Sequence, residues 1–411
     1  MTADDLLLRE GTPADWPAVS RLFGEAFQTL ADPELIELDG HLFEPSRSVL
    51  AIHGDAVVGH TGSYGRTLRL PGTDVRAAHV ALVAVAPDHR RRGLLSRLMA
   101  RQLSDLRTAG EPVAVLWASE GRIYPRYGFG LATTRWVLQV DTREIAQPPI
   151  EPTAVAIRVV EPSQAASSIR TVYEHVRLDR PGWSSRGDSW WQYRILADPP
   201  ARRRGATPWR AVLHDSADGT EDGYALWRVL PHWDTAGPCG QVEVREIVTD
   251  SPQAYAAIWR FLLGLDLTRS VKYPVASPDE PLVYLSDEPR RLAAQLADGL
   301  WLRIIDLQAA LSVRRYATPI DVVVEVSDAL LAEKRGRWHV CGDSAGARCE
   351  PTTTAPDLSC DVADLSAALL GDGALVPLAG SGRVRELRRG SLTAAHLAFS
   401  WPRRPSAIEM F

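Results

Sequence analysis

The residues best suited to chemistry begin with Pro87-Asp88-His89-Arg90-Arg91-Arg92-Gly93-Leu94-Leu95-Ser96. An almost wholly apolar run, residues 80–86, precedes them, and Leu94, Leu95, Leu98 and Met99 follow at helical spacing. Val83 and Val85 make the run read as a buried strand, and Pro87, which cannot donate to a ladder, ends it. The first amides of a helix have no internal partner, the helix dipole favours negative charge there, and glycine lets an anion approach the backbone. A strand, an arginine-rich turn with Gly93 and a helix start therefore predict a phosphate cradle. Arginines alone would read equally well as a solvated surface loop; the flanking strand and helix favour the cradle.

The flanking sequence supplies the elements that must position this loop. Thr12-Pro13-Ala14-Asp15 is a helix start, with a capping threonine, proline at the first helical position and an acid three residues after the cap. Trp16, Val19, Leu22, Phe23 and Phe27 continue at helical spacing. Residues 48–52 and 56–59 around His53-Gly54-Asp55 predict a hairpin, and residues 66–70 turn at Pro71-Gly72 into the central strand. Residues 113–117 predict another buried strand beyond the helix that starts near Arg92. Helix, antiparallel strands, then strand–loop–helix–strand with Arg90-x-x-Gly93 at the loop resembles the GNAT N-acetyltransferase superfamily and its pyrophosphate loop. Leu95 departs from that pattern, standing where a small residue is usual.

Next comes Ala118-Ser119-Glu120-Gly121-Arg122-Ile123-Tyr124-Pro125-Arg126-Tyr127-Gly128-Phe129-Gly130. In the resembling superfamily this segment holds the thiol end of the acyl carrier, and a tyrosine often protonates the departing thiolate. A hydroxyl near the sulfur aids its expulsion; by that criterion Tyr124 and Tyr127 stay level, and Phe129 has no hydroxyl. Loop and segment together resemble the Eis (enhanced intracellular survival) family, with similar organisation over the full length. The resemblance implies Tyr124 as general acid. It implies acetyl-CoA contacts from Val83, Ala84 and Val85, from Arg91, Arg92, Gly93, Leu94, Leu95 and Ser96, and from Ser119 and Glu120. It also implies the α-carboxylate of Phe411, in an apolar last segment, as general base. With a reference pKa of roughly 3.5, such a group is a weak base unless burial raises it, so action through a water or by orienting the amine is expected.

With 411 residues, 45% hydrophobic and 24% charged, the chain predicts a soluble protein of two or three domains. A net charge of −5 excludes a global attraction to nucleic acid. No signal-peptide pattern and no membrane span is read, so a cytoplasmic location is expected. Cys239, Cys341, Cys349 and Cys360 are widely spaced and read as buried thiols, and no histidine pairs with them at metal-ligand spacing, so no metal is expected. The Pro-rich stretch at 147–152 marks a boundary.

The fold class expected is α+β with mixed sheets. A catalytic GNAT domain spans 1–147, a second, degenerate GNAT-like domain 148–295, and a sterol-carrier-protein-like domain 296–411. In the middle domain a helix opened by Glu161-Pro162-Ser163, strands at 209–213, 223–229 and 241–248 and a helix through Trp259 repeat the first domain's order. Thr249-Asp250-Ser251-Pro252 stands where the anion loop should be, so no coenzyme A is expected there. Arg202-Arg203-Arg204-Gly205 follows Asp198-Pro199-Pro200 rather than a strand and reads as a solvated loop. Trp190 and Trp191 read as packing between domains. The last domain is read as starting at 300–306, with a helix at 307–311 and strands at 321–326 and 337–340.

The function expected is direct acetyl transfer from acetyl-CoA to an amine in a ternary complex. Family resemblance suggests cationic polyamines, aminoglycosides or lysine side chains as acceptors, with Asp32, Glu34, Glu37 and Asp39 as candidates to receive their charge, and a homohexameric assembly. The competing expectation is a lipid- or protein-binding module carrying a vestigial acyltransferase domain.

Overall fold

The apolar run before the arginine loop is the end of a longer strand, and the molecule is built outward from it. The computed structural model describes residues 6–29, 32–146, 156–331 and 335–411. The Pro-rich stretch at 147–152 lies outside the described residues. In chain order come β1 (Leu6–Glu10), α1 (Trp16–Phe27), α2 (Pro33–Gly40), β2 (Val49–His53), β3 (Ala56–Leu70), β4 (Thr73–Val85), α3 (Leu94–Thr108), β5 (Val113–Trp117), β6 (Gly130–Leu131) and β7 (Thr134–Asp141). The chain continues with β8 (Ala156–Val160), α4 (Ala166–Arg177), α5 (Pro200–Arg203), β9 (Arg210–Asp215), β10 (Glu221–Leu230), β11 (Trp233–Asp234), β12 (Gly237–Pro238), β13 (Gly240–Thr249), α6 (Pro252–Leu263), β14 (Thr268–Ala276), α7 (Leu282–Leu285) and β15 (Gln295–Asp298). It closes with β16 (Leu300–Ile304), α8 (Leu307–Val313), β17 (Ile320–Ser327), β18 (Gly336–Gly342), β19 (Ala347–Thr352), β20 (Leu358–Asp361), α9 (Val362–Ala368), α10 (Leu375–Gly380), β21 (Val384–Glu386) and α11 (Ser391–Phe399).

Among the described residues the strands form two seven-stranded sheets, ordered β1-β2-β3-β4-β5-β16-β6 and β15-β7-β14-β13-β10-β9-β8. A five-stranded sheet runs β19-β18-β17-β20-β21, and β11 pairs β12. Helices and sheets mix as the α+β expectation requires. The sheets do not follow the sequence boundaries at 147 and 295. β7, inside 1–147, pairs with β14 and β15, whereas β16, inside 296–411, lies between β5 and β6. Each of the two seven-stranded sheets thus takes a strand from outside its own stretch of sequence into its interior, paired on both sides, with β6 and β15 left as the short strands at that edge.

Local rules explain the elements that hold the loop. Asp15 accepts from the backbone of Thr12 at 2.7 Å and from Arg9, fixing the entry to α1. Leu94, Leu98, Met99, Leu103 and Leu106 form the buried face of α3. The last domain shares a core with the first sheet: Leu68, Val113 and Leu302 pack in one cluster with Val322, Leu365 and Phe399. The approach is close enough that a Cβ on Gly130 would lie 1.9 Å from the carbonyl oxygen of Ala363 in α9. Trp191 is buried edge-on to Tyr173 in the middle module, and Trp190 packs between domains, edge-on to Tyr64 of β3 at 5.1 Å. The arginine run at 202–204 is not the solvated loop expected. Arg202 and Arg203 form the end of α5, with ion pairs to Asp39 at 2.6 Å and Asp198 at 3.0 Å.

Candidate active site

β4 and β5 run parallel and pair only from Ala77↔Val113 to His79↔Val115. Beyond His79 they diverge, and the groove opens in the gap. The register between β3 and β4 also breaks there: Gly62 faces Ala81 but His60 faces Ala84, so Leu82 and Val83 together oppose Thr61. Leu82 takes a left-handed backbone with φ 55, costly for a residue with a Cβ. His60 holds the bulge, its Nδ1 lying 2.7 Å from the Leu82 carbonyl oxygen. Burial pushes the His60 pKa down to about 4, so the ring is neutral and Nδ1–H donates. The bulge turns backbone at Val83 out of the ladder and toward the groove.

The arginine loop follows a short turn, Pro87–His89. Arg91 and Gly93 both have positive φ, 62 and 76, which wraps the chain around the start of α3. No side chain caps the amides of that helix. They face a groove of about 560 Å³ lined by Val83, Ala84, Val85, Arg91, Gly93, Leu94, Leu95, Ser96, Ser119, Glu120 and Tyr124. These expected contacts from four separate stretches therefore share one wall system. Arg92 is exposed and is not part of that wall, because the left-handed turns on either side point it outward. Residues not singled out as contacts also line the groove, among them Phe27, His89, Arg90, Ile123, Arg126 and Tyr127. Uncapped amides, two adjacent cationic side chains and a left-handed glycine fit the pyrophosphate of a coenzyme A donor.

Geometry separates the two tyrosines. The Tyr127 hydroxyl lies 3.1 Å from Ser96 Oγ at the start of α3. The Tyr124 side chain is buried on the groove wall, edge-on to Phe129 at 5.9 Å, and its hydroxyl has no hydrogen-bond partner among the described residues. Burial pushes its pKa up to about 12, so it remains a protonated donor across the neutral range.

The tail is docked. Ser406 donates its amide to the Pro181 carbonyl at 3.0 Å, and its hydroxyl lies 3.2 Å from Trp183 Nε1. Glu409 accepts from Arg66, from Arg186 at 3.1 Å and from Trp190 Nε1 at 3.1 Å. Burial raises the Glu409 pKa, but Arg186 and Arg66 outweigh it and hold the group well below the usual carboxylate range. A depressed folded-state pKa means that this anchor is present above the ordinary glutamate range and is lost only in strong acid. The Phe411 ring meets the ring of His79 edge-on at 4.9 Å, at the last paired residue before β4 and β5 diverge.

The four acidic candidates for an acceptor's charge are not brought together at the groove. Asp32 caps α2 by accepting from Glu34 and Leu35, Asp39 is paired with Arg202, and Glu34 and Glu37 are exposed.

The second module repeats the splay without the cradle. β13 and β14 pair from Gly240↔Thr268 to Glu243↔Lys272 and then part. Ser251 caps α6 with its own hydroxyl, accepting from Ala254 at 3.0 Å, so an amide left free in α3 is already satisfied here. Ile408 of the tail lies in the splay and lines a groove on each side of it. Among the described residues no group of three or more His, Cys, Asp or Glu side chains is placed to hold a metal ion. No described helix is long and apolar enough to cross a membrane.

Comparison with known proteins agrees with this architecture. Models of acetyltransferase (GNAT) domains match residues 8–132 and 182–304, and a sterol carrier protein domain matches 307–407. A Streptomyces avermitilis protein described as an uncharacterized N-acetyltransferase is 40% identical, covering 97% of both chains. The N-acetyltransferase Eis of Mycobacterium tuberculosis is 33% identical over 91% of this chain and 92% of its own. The crystal structure of Eis1 from Mycobacterium abscessus superposes with a TM-score of 0.83 at 31% identity, covering 99% of this chain and 100% of that one.

Proposed function

This chain belongs to the Eis family of GNAT N-acetyltransferases, and we propose that its first groove transfers acetyl from acetyl-CoA directly to a primary amine, with Tyr124 as general acid and the Phe411 α-carboxylate as general base. The thioester supplies an activated acetyl group. The uncapped amides of α3 and Gly93 bind the pyrophosphate, and Arg91 adds charge. A backbone N–H turned out at the Val83 bulge receives the oxygen that becomes negative. As the C–N bond forms and the C–S bond breaks, the Phe411 carboxylate takes the ammonium proton, directly or through water. Tyr124 gives its proton to the sulfur.

The observation that carries this reading is the unpartnered, protonated Tyr124 hydroxyl on the wall that also holds the cradle. The docked Phe411 ring at the root of the splay supports the role given to the tail. By family resemblance the acceptor is a cationic polyamine, an aminoglycoside or a protein lysine, and the assembly a cytoplasmic homohexamer. The test is release of coenzyme A with tobramycin and with a lysine peptide. Tyr124→Phe should slow turnover by roughly 10²-fold or more, the usual weight of a general acid, while Tyr127→Phe stays near wild type. Equal loss in both variants, or loss only in Tyr127→Phe, would overturn the assignment. Release with neither amine, even from the wild type, would favour a binding module with a vestigial acyltransferase domain.

A further inference from the structure

The donor groove of the first module has a counterpart in the second that the acetyl-transfer mechanism leaves unused. It is a groove of about 790 Å³ beside the start of α6, walled on one side by tail residues that include Ser406 and Ile408. It shares no lining residue with the acetyl-transfer groove.

Glu280 lines this groove with only 4% of its surface exposed, and its Oε1 has no hydrogen-bond partner among the described residues. A buried polar atom left unpaired is costly, and more so when charged, so a persistent case needs a reason. The Tyr255 hydroxyl is a second buried, unpartnered oxygen in the same groove. Burial pushes the Glu280 pKa up to about 7. Hydrogen bonding from the Leu282 backbone, then Arg180, itself paired with Asp279 at 2.5 Å, and the Ser277 backbone offset that only in part. Asp179 and Asp250 also line the groove, paired with Arg403 at 3.0 Å and His175 at 3.2 Å. Trp401 and Tyr284, the latter 87% exposed, supply aromatic wall.

We propose that this groove is a second ligand site that takes a small organic cation, a protonated amine donating to the Glu280 carboxylate, whose closed-off Oε1 turns toward the groove to meet it, with the amine's apolar body against Tyr255 and Trp401. An ammonium supplies the missing donor and compensates a carboxylate that burial disfavours; a neutral donor supplies only the first. Aromatic faces add attraction for the cation, and their area holds the apolar body.

The test uses N,N-dimethylphenethylamine, a tertiary amine that cannot be converted to an amide, added to the full chain saturated with coenzyme A and followed by titration calorimetry. One amine should bind per chain. At pH 6 binding should release a proton, because Glu280 is then mostly protonated and must ionise to pair. Glu280→Gln should weaken binding at least tenfold and abolish the proton release, while Tyr124→Phe should bind as the wild type does. The proton count is read on the wild type, so it stands even if Glu280→Gln folds poorly. No binding, binding without proton release, equal binding of 2-phenylethanol, or binding lost in Tyr124→Phe would each overturn the proposal.

Discussion

Replacing Gly182 by alanine should disable the enzyme from a distance, without touching either substrate. Gly182 has φ 91, and a Cβ there would lie 2.3 Å from the backbone oxygen of Ser406 in the tail. Van der Waals contact requires the tail to retreat by about 1 Å. Gly182 has little room to yield, since its amide donates to the Arg69 carbonyl of β3 at 2.8 Å. The positive φ adds roughly 1–2 kcal/mol of backbone strain for alanine. A reacting group misplaced by about 1 Å costs on the order of 10²-fold in rate. Steady-state coenzyme A release should therefore show kcat down by about that factor, with KM for acetyl-CoA unchanged, because Gly182 does not line the donor groove. Gly219→Ala is the matched control: φ is 84, nothing lies within 4 Å of the added carbon, and turnover should stay at the wild-type level. Wild-type kcat in Gly182→Ala would refute the coupling of tail position to catalysis.

The remaining predictions probe the cradle and the buried acid. Gly93→Ala meets no atom within 4 Å, so only the strain of φ 76 acts; the free loop relieves that strain by shifting its backbone and takes up about 1–2 kcal/mol again on binding, which should weaken coenzyme A binding roughly tenfold in calorimetry, with the melting temperature of the free protein little changed. Glu280 has a folded-state pKa raised to about 7, so the folded chain binds more protons than the unfolded one between the ordinary glutamate range and pH 7. Its contribution to stability therefore falls as pH rises through that window, and Glu280→Gln should melt higher than the wild type at pH 8 by more than at pH 5. The gain at pH 8 is at most a few kcal/mol.

What could be read from the sequence was local in the chain. The cradle is contiguous: a buried strand, a proline stop, an arginine-rich turn with Gly93 and an amphipathic helix occupy consecutive residues, and each obeys a rule that needs no tertiary information; the left-handed backbone at Arg91 follows from no such rule. The missing cradle of the second module was equally legible, since Ser251-Pro252 spells a self-capped helix start. Partnership was not legible. Residues 134–141, not expected as a strand from sequence, form β7, and nothing in their own order says that the partner is β14. Nothing near Leu82 announces its left-handed backbone, because the bulge comes from register against β3 and from His60. Arg202 and Asp39 are far apart in sequence, so their ion pair, which removes an acidic candidate and explains a supposed loop, emerges only once α2 and α5 meet. The unpartnered oxygen of Glu280 likewise depends on packing among distant elements.

The central claim is that the chain's own last carboxylate serves the groove in which Tyr124 stands. The most direct measurement is the single-turnover rate of a semisynthetic protein whose Phe411 ends in a carboxamide, which keeps the ring against His79 and removes only the charge. The account predicts acetyl transfer slowed by roughly 10²-fold, with acetyl-CoA affinity unchanged. Transfer at the wild-type rate would contradict it.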